Sequence, residues 1–171
     1  GFDPASARSH PPAPRYAAVD LGPVEAHGLP VALSASGHHV LTDRGERWSW
    51  QAGWCSLSVP EGATAQFDVI RADGAVLGRV VYPVPGNMVG ELWCWDAAGV
   101  SHPVPGTRYG GQPPSDSQAD PWLFRPLRWL RGDDFLVQGT PLSPGPLASD
   151  VLVASIAGVP TASRRVCTGD V

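Results

Sequence analysis

Four of the seven tryptophans fall in two pairs at a spacing of two, Trp48/Trp50 and Trp93/Trp95. Residues two apart share a face of a strand, so each pair has two uses. Exposed, it is a flat platform on which a sugar ring stacks. Buried, it fills a core or a subunit contact, since an indole carries a large apolar area and needs only one polar partner. Nearby Leu57, Phe67 and Val80 favour burial. The opposite face of the second pair holds Leu92 and Cys94, which leaves no polar side to keep that strand at the surface. Trp93 and Trp95 therefore belong to a central strand covered on both sides. Ser49 separates Trp48 from Trp50, so that strand can lie at an edge, but all four rings are expected to be mostly buried. A sugar platform made by Trp48, Trp50, Trp93 and Trp95 is the alternative.

A second chemistry-bearing stretch is Trp122-Leu123-Phe124-Arg125-Pro126-Leu127-Arg128-Trp129-Leu130-Arg131. Tryptophan and arginine are enriched at the energetic centres of protein contacts, and Trp122, Phe124, Arg125, Arg128 and Trp129 are assigned here as a protein interface. Arginine-aromatic runs also stack on nucleobases. A net charge of −4 and the lack of any second basic cluster turn the assignment away from nucleic acid. Pro126 suits the first position of one or two helical turns, which would bring Leu127 and Leu130 together. Arg131-Gly132-Asp133 spells an adhesion tripeptide, but three residues match by chance and Gly132 serves equally as an ordinary turn.

Catalytic patterns are missing. A nucleophile needs a strained turn and a histidine base; there is no G-x-S-x-G, and Ser36-Gly37-His38 is only a loop. The four glutamates are scattered and the one adjacent acidic pair is Asp133-Asp134. No glycine-rich phosphate loop occurs. His38 and His39 adjoin and are expected on opposite faces of a strand; His10, His27 and His102 sit in unrelated loops. A metal would need three ligands from separate segments, with Asp43 and Glu46 as candidates, and no spacing proposes one. No catalytic residue, metal or cofactor is assigned. Cys55, Cys94 and Cys167 make an odd count without C-x-x-C. Cys55 and Cys94 are expected to be buried free thiols, with a single bridge between them as the alternative, and Cys167 to be the most exposed.

The elements that must position these residues are short strands. The clearest is the hairpin from Thr64 to Tyr82: Ala65, Phe67, Val69 and Ile70 lead into Ala72-Asp73-Gly74, and Val76, Leu77, Val80, Val81 and Tyr82 return. Two such runs about an Asp-Gly corner form a strong hairpin signal. Further strands are expected at 15–20, 29–34, 39–41, 47–50, 89–95, 100–104, 135–138 and 150–156. Pro60-Glu61-Gly62, Pro83-Val84-Pro85-Gly86 and Asp96-Ala97-Ala98-Gly99 supply turns. Glycine (20) and proline (19) exceed a fifth of the 171 residues, which means many turns and few long helices. The expected fold is all-β, an antiparallel β-sandwich, jelly-roll-like, with long Pro/Gly-rich loops and extended terminal arms. Residues 1–14 form an extended arm, 15–160 a single sandwich domain with a long loop at 106–121, and 161–171 a polar tail. The arms are expected to be held by partner chains, because such composition buries too little to offset its ordering entropy.

No apolar run approaches the roughly eighteen residues of a membrane span, and Gly1-Phe2-Asp3-Pro4 lacks a signal-peptide pattern. All twelve cations are arginine, which codon bias in a GC-rich bacterium or its phage explains. The phrase FDVIRADGAVLGRVVY resembles hairpins of many β-sandwich modules, carbohydrate-binding modules and phage virion domains among them. The expected function is a non-catalytic structural subunit of a larger assembly, such as a capsid decoration or tail component of a phage virion. Its partners would be other protein subunits, in a homo- or hetero-assembly. A carbohydrate-binding module, with a glycan as partner, comes second and a hydrolase third.

Overall fold

Short strands punctuated by tight turns leave the chain one economical way to pair, each strand with the next. The computed structural model, which describes residues 18–84, 87–110, 122–141, 150–158 and 165–167, follows that rule within each of three sheets. The first sheet runs β1 (Pro30–Leu33), β2 (His39–Thr42), β3 (Glu46–Ser49), β4 (Gly53–Ser56). The second runs β5 (Thr64–Ile70), β6 (Val76–Val84), β7 (Asn87–Trp95), β8 (Ser101–Pro103). The third is β9 (Trp122–Trp129), β10 (Asp134–Pro141), β11 (Asp150–Ser155), β12 (Arg165–Cys167). All pairings are antiparallel. The all-β antiparallel expectation holds. Jelly-roll interleaving, in which spatial neighbours are distant in sequence, is not seen among the described strands, because every sheet is a meander. The expected N-terminal arm, residues 111–121 of the long loop and most of the C-terminal tail lie outside the described residues.

The central hairpin forms where its Asp-Gly corner places it. Gly74 takes φ +93°, a left-handed conformation that costs a side chain-bearing residue. The Ala75 N–H donates to Asp73 Oδ1 at 3.1 Å, and Arg71 N–H closes the loop on Ala75 O at 2.7 Å. Ile70 then faces Val76, and the register runs back to Thr64 and Val81 with Asp68 bulged out between Phe67 and Val69.

The second sheet is the middle layer, and its alternation sorts side chains into two cores. Leu77, Leu92, Cys94 and Val104 face the third sheet and meet Phe124, Phe135, Val137, Leu152 and Ala154. Val76, Val80, Trp95, Phe67 and Ile70 face the first sheet and meet Leu41 and Leu57. Trp95 is fully buried, its ring 5.0 Å from that of Phe67 and its N–H donating to Ser58 O at 2.6 Å. The strand of Trp93 and Trp95 is thus covered on both sides.

One buried cation ties the first layer to the middle one. Arg47, on β3, donates to Gly74 O at 2.6 Å, Asp96 O at 3.1 Å and Ala97 O at 2.9 Å. Those carbonyls belong to the turns after β5 and after β7, so one guanidinium holds the ends of both hairpins.

Two local expectations change. Pro126 does not open a helix; it lies inside β9, fully buried. β9 is the edge of its sheet, where a missing N–H is tolerated, and the register slips there so that Leu127 bulges between Pro126 and Arg128. One helical turn that the sequence pattern did not suggest, α1 (Val24–His27), follows Pro23 and stops at Gly28.

Replacing Trp95 by alanine should destabilise the protein by about 3–5 kcal/mol, since it empties a fully enclosed site. Chemical denaturation of the variant checks this; a loss within about 0.5 kcal/mol, as at a surface position, would contradict the buried central strand.

Candidate functional site

The four paired tryptophans do not form one platform. Trp95 is core, and Trp93 is half-buried against the same cluster with its N–H on Glu91 Oε1 at 3.0 Å. Both belong to the middle sheet, while Trp48 and Trp50 belong to the first. β3 ends at Ser49, so Trp50 falls in the following turn, and the alternation that turns Leu41 and Arg47 inward already sends Trp48 to the outer face of the first sheet. Trp50 is 56% exposed, against the expectation of burial, and meets half-buried Trp48 edge-on at 5.3 Å with an interplanar angle of 62°. Trp54, given no role by the sequence, lies flat on His27 with centroids 4.1 Å apart and planes at 10°. Its N–H donates to Leu21 O at 3.0 Å, and His27 Nδ1 is paired with Glu46 Oε2 at 2.7 Å. This stack joins α1 to the first sheet, with Glu46 holding the His27 ring in place.

Beside Trp50 is a cleft of about 270 Å³ lined by His38, His39, Ser49, Trp50 and Gln51. His38 and His39, expected on opposite faces of a strand, are both at this cleft. β2 begins only at His39, so His38 sits in the preceding bend, where strand alternation does not apply, and both line the cleft. Burial, reinforced by Arg47 and His38 and opposed by Asp73, holds the His39 imidazole below its ordinary range. Its Nδ1 is buried with no hydrogen-bond partner, packed toward Gly74, where an added Cβ would come within 3.1 Å of that nitrogen. Among the described residues no group of three His, Cys, Asp or Glu side chains is placed to hold a metal ion.

The arginine-aromatic run is a strand, and its alternation divides the five proposed interface residues. Phe124 is buried in the core, which corrects its assignment to an interface. Trp129 is half-buried, packs edge-on against Phe135 at 5.9 Å and lies beneath the Arg71 guanidinium at 4.6 Å. Arg71 is itself held by both Asp73 oxygens at 2.8 Å and by Asp133 at 3.1 Å. Arg125 and Arg128 are exposed, and the side chain of Trp122 lies outside the described residues.

What the run does present is apolar. The bulge exposes Leu127 (40%), and Leu130 (42%) follows it. With Ala32, Leu33, Ala35, Val69 and Trp129 they line a groove of about 440 Å³ between β1 and β9, with Arg128 at its wall. Leu33 is 65% exposed and is shared with an adjoining cleft lined by Leu21, Pro30, Val31 and Val40, so the apolar surface is continuous across β1. No sequence periodicity could have joined β1 to β9; a sheet boundary lies between them.

Asp68, the bulged residue of β5, is a buried carboxylate 3.5 Å from Arg79 and 3.9 Å from Arg125. Burial pushes its pKa up, and the two arginines only partly oppose this. Its Oδ2 makes no aligned hydrogen bond. Its described ionic contacts are the two arginines, which form a charge cluster with it.

Both described thiols are free. Cys94 is buried and burial pushes its thiol up to about 11. Cys55, expected to be buried, is exposed, because β4 is the edge strand of the first sheet. The side chain of Cys167 lies outside the described residues. In the folded protein iodoacetamide should modify Cys55 and spare Cys94, as mass spectrometry of the labelled peptides would show. Rapid labelling of Cys94 would contradict its place between two sheets.

His39 gives a pH dependence with a definite sign. Folding lowers its pKa below 6.5, so the folded protein binds fewer protons there than the unfolded chain. The stability it contributes is full above about pH 6.5 and is lost as the pH falls through the lowered folded-state value. His39→Gln should flatten that part of the acid limb in a series of denaturation midpoints against pH. An unchanged slope would mean that His39 titrates alike in both states.

Comparison with family models, with curated proteins and with solved structures finds no match for this chain.

Proposed function

We propose that the chain is a non-catalytic subunit that works by docking onto other protein subunits in a larger assembly. The observation that carries this is the continuous apolar surface over β1 and β9, where Val31, Leu33, Leu127 and Leu130 are each 40–65% exposed. Single exposed aliphatics are ordinary; a contiguous set along an edge strand marks a contact surface. β1 is the edge of the first sheet and β9 the edge of the third, so both surfaces are at positions where a partner can add to the fold. Arg128 and Arg131, exposed at this margin, favour a partner segment that brings acidic groups alongside its apolar ones.

A phage virion, in a capsid-decoration or tail role, is the assembly proposed. Its support is the hairpin phrase shared in style with such domains, the proline-rich arm and the all-arginine composition. The test uses the full chain. Light scattering over a range of concentrations should report a defined multimer, and Leu33→Glu with Leu127→Glu should dissociate it while shifting stability by no more than about 0.5 kcal/mol per site. A chain that stays monomeric at every concentration, with dye binding at the groove unaffected by the two substitutions, would overturn the docking reading.

A further inference from the structure

We propose that the cleft formed by His38, His39, Ser49, Trp50 and Gln51 binds an uncharged sugar ring, with Trp50 as the stacking surface and the four polar side chains as the hydroxyl-binding rim. The cleft shares no lining residue with the groove between β1 and β9, so this goes beyond the docking reading and stands or falls separately.

Three observations carry it. Trp50 keeps more than half its surface in water although the other described tryptophans are half-buried or buried. Its ring is not loose: Trp48 meets it edge-on at 5.3 Å, and Ala52 N–H donates to Ser49 Oγ at 3.1 Å to close the turn that carries it. A braced, exposed indole is an apolar face already ordered for stacking, so little entropy is lost when a ligand covers it.

The rim selects the ligand class. Imidazole, hydroxyl and carboxamide groups both donate and accept, which suits a ring of hydroxyls. Among the described residues no carboxylate or arginine lines the cleft. Arg47, whose charge acts on His39, is spent on three backbone carbonyls. A nucleotide stacking on Trp50 would find no cation for its phosphate, and an acidic sugar would find none for its carboxylate. His39, held neutral by burial, adds no charge near pH 7. Hydrolysis of a glycoside takes two carboxylates flanking the bond, and the described lining residues supply none, so binding is the role proposed. A volume of about 270 Å³ suits one or two rings.

The experiment is titration of the full-length protein with cellotriose, chitotriose, maltotriose and lactose, alongside trigalacturonate and adenosine as charged and nucleoside probes. Indole fluorescence and the Nε1–H resonance of Trp50 report binding. At least one neutral oligosaccharide should give a saturable shift at Trp50, weakened about tenfold or more in Trp50→Ala and severalfold in Gln51→Ala. The melting midpoint of each variant should match the parent, which separates lost binding from lost folding. Silence of Trp50 across the neutral sugars, a response to trigalacturonate or adenosine alone, or neutral-sugar binding that survives Trp50→Ala would each overturn the proposal. Dissociation of a multimer by substitutions at Leu33 and Leu127 would leave these readings untouched.

Discussion

A sheet buried on both faces must be apolar at consecutive positions, and β6 and β7 meet that demand with Val76-Leu77 and Leu92 through Trp95. Everything else in the fold is arranged against those two surfaces. The first sheet covers one with Leu41 and Leu57; the third covers the other with Phe124, Phe135, Val137 and Leu152. The demand extends to the backbone. Gly78 lies so close under the Gln66 carbonyl that a Cβ there would collide with it, and the bulge at Asp68 lies on the same stretch of β5. The bulge turns the Asp68 carboxylate toward Arg79 and Arg125, a redirection typical of such insertions.

Arg47 converts this layering into a fixed arrangement. Removing a guanidinium from water is expensive unless its donors are satisfied. Here three backbone carbonyls accept from it, and they come from two different turns of the middle sheet. The hydrogen bonds therefore do two things at once: they offset the desolvation of the cation and they lock the first sheet over the hairpin ends. A neighbouring imidazole is disfavoured from taking up a second positive charge, which accounts for part of the lowered His39 pKa.

Because the middle layer has no free face, binding capacity is left to the outer sheets and their edges. The groove uses β1 and the bulged part of β9, both edge strands. The cleft beside Trp50 uses the start of β2 and the turn after β3. At the groove a bulge exposes Leu127; at the cleft Trp50 lies in the turn just past the end of a strand.

The local sequence by itself determined the hairpins, the turns and the two-sided burial of β7. Asp73-Gly74, Asp96 through Gly99 and the alternation Leu92-Trp93-Cys94-Trp95 state backbone geometry and facing within a few residues, and sequential strands pair at the lowest loop-closure cost. Only the tertiary structure decided which faces met. Alternation shows that Phe124 and Arg125 point oppositely but not which of them meets the core, so Phe124 was placed at an interface that it does not reach. Pro126 fits a helix start equally well as an edge strand, and the choice fell to β10 pairing beside it. Trp48 and Trp50 share a spacing with Trp93 and Trp95, yet one pair spans a strand end and the other lies within a strand. Cys55 was expected inside and is outside because sheet edges are set by the order of strands. Groove and cleft both combine residues from separate segments, and their juxtaposition is a product of sheet packing, which a one-dimensional periodicity does not encode.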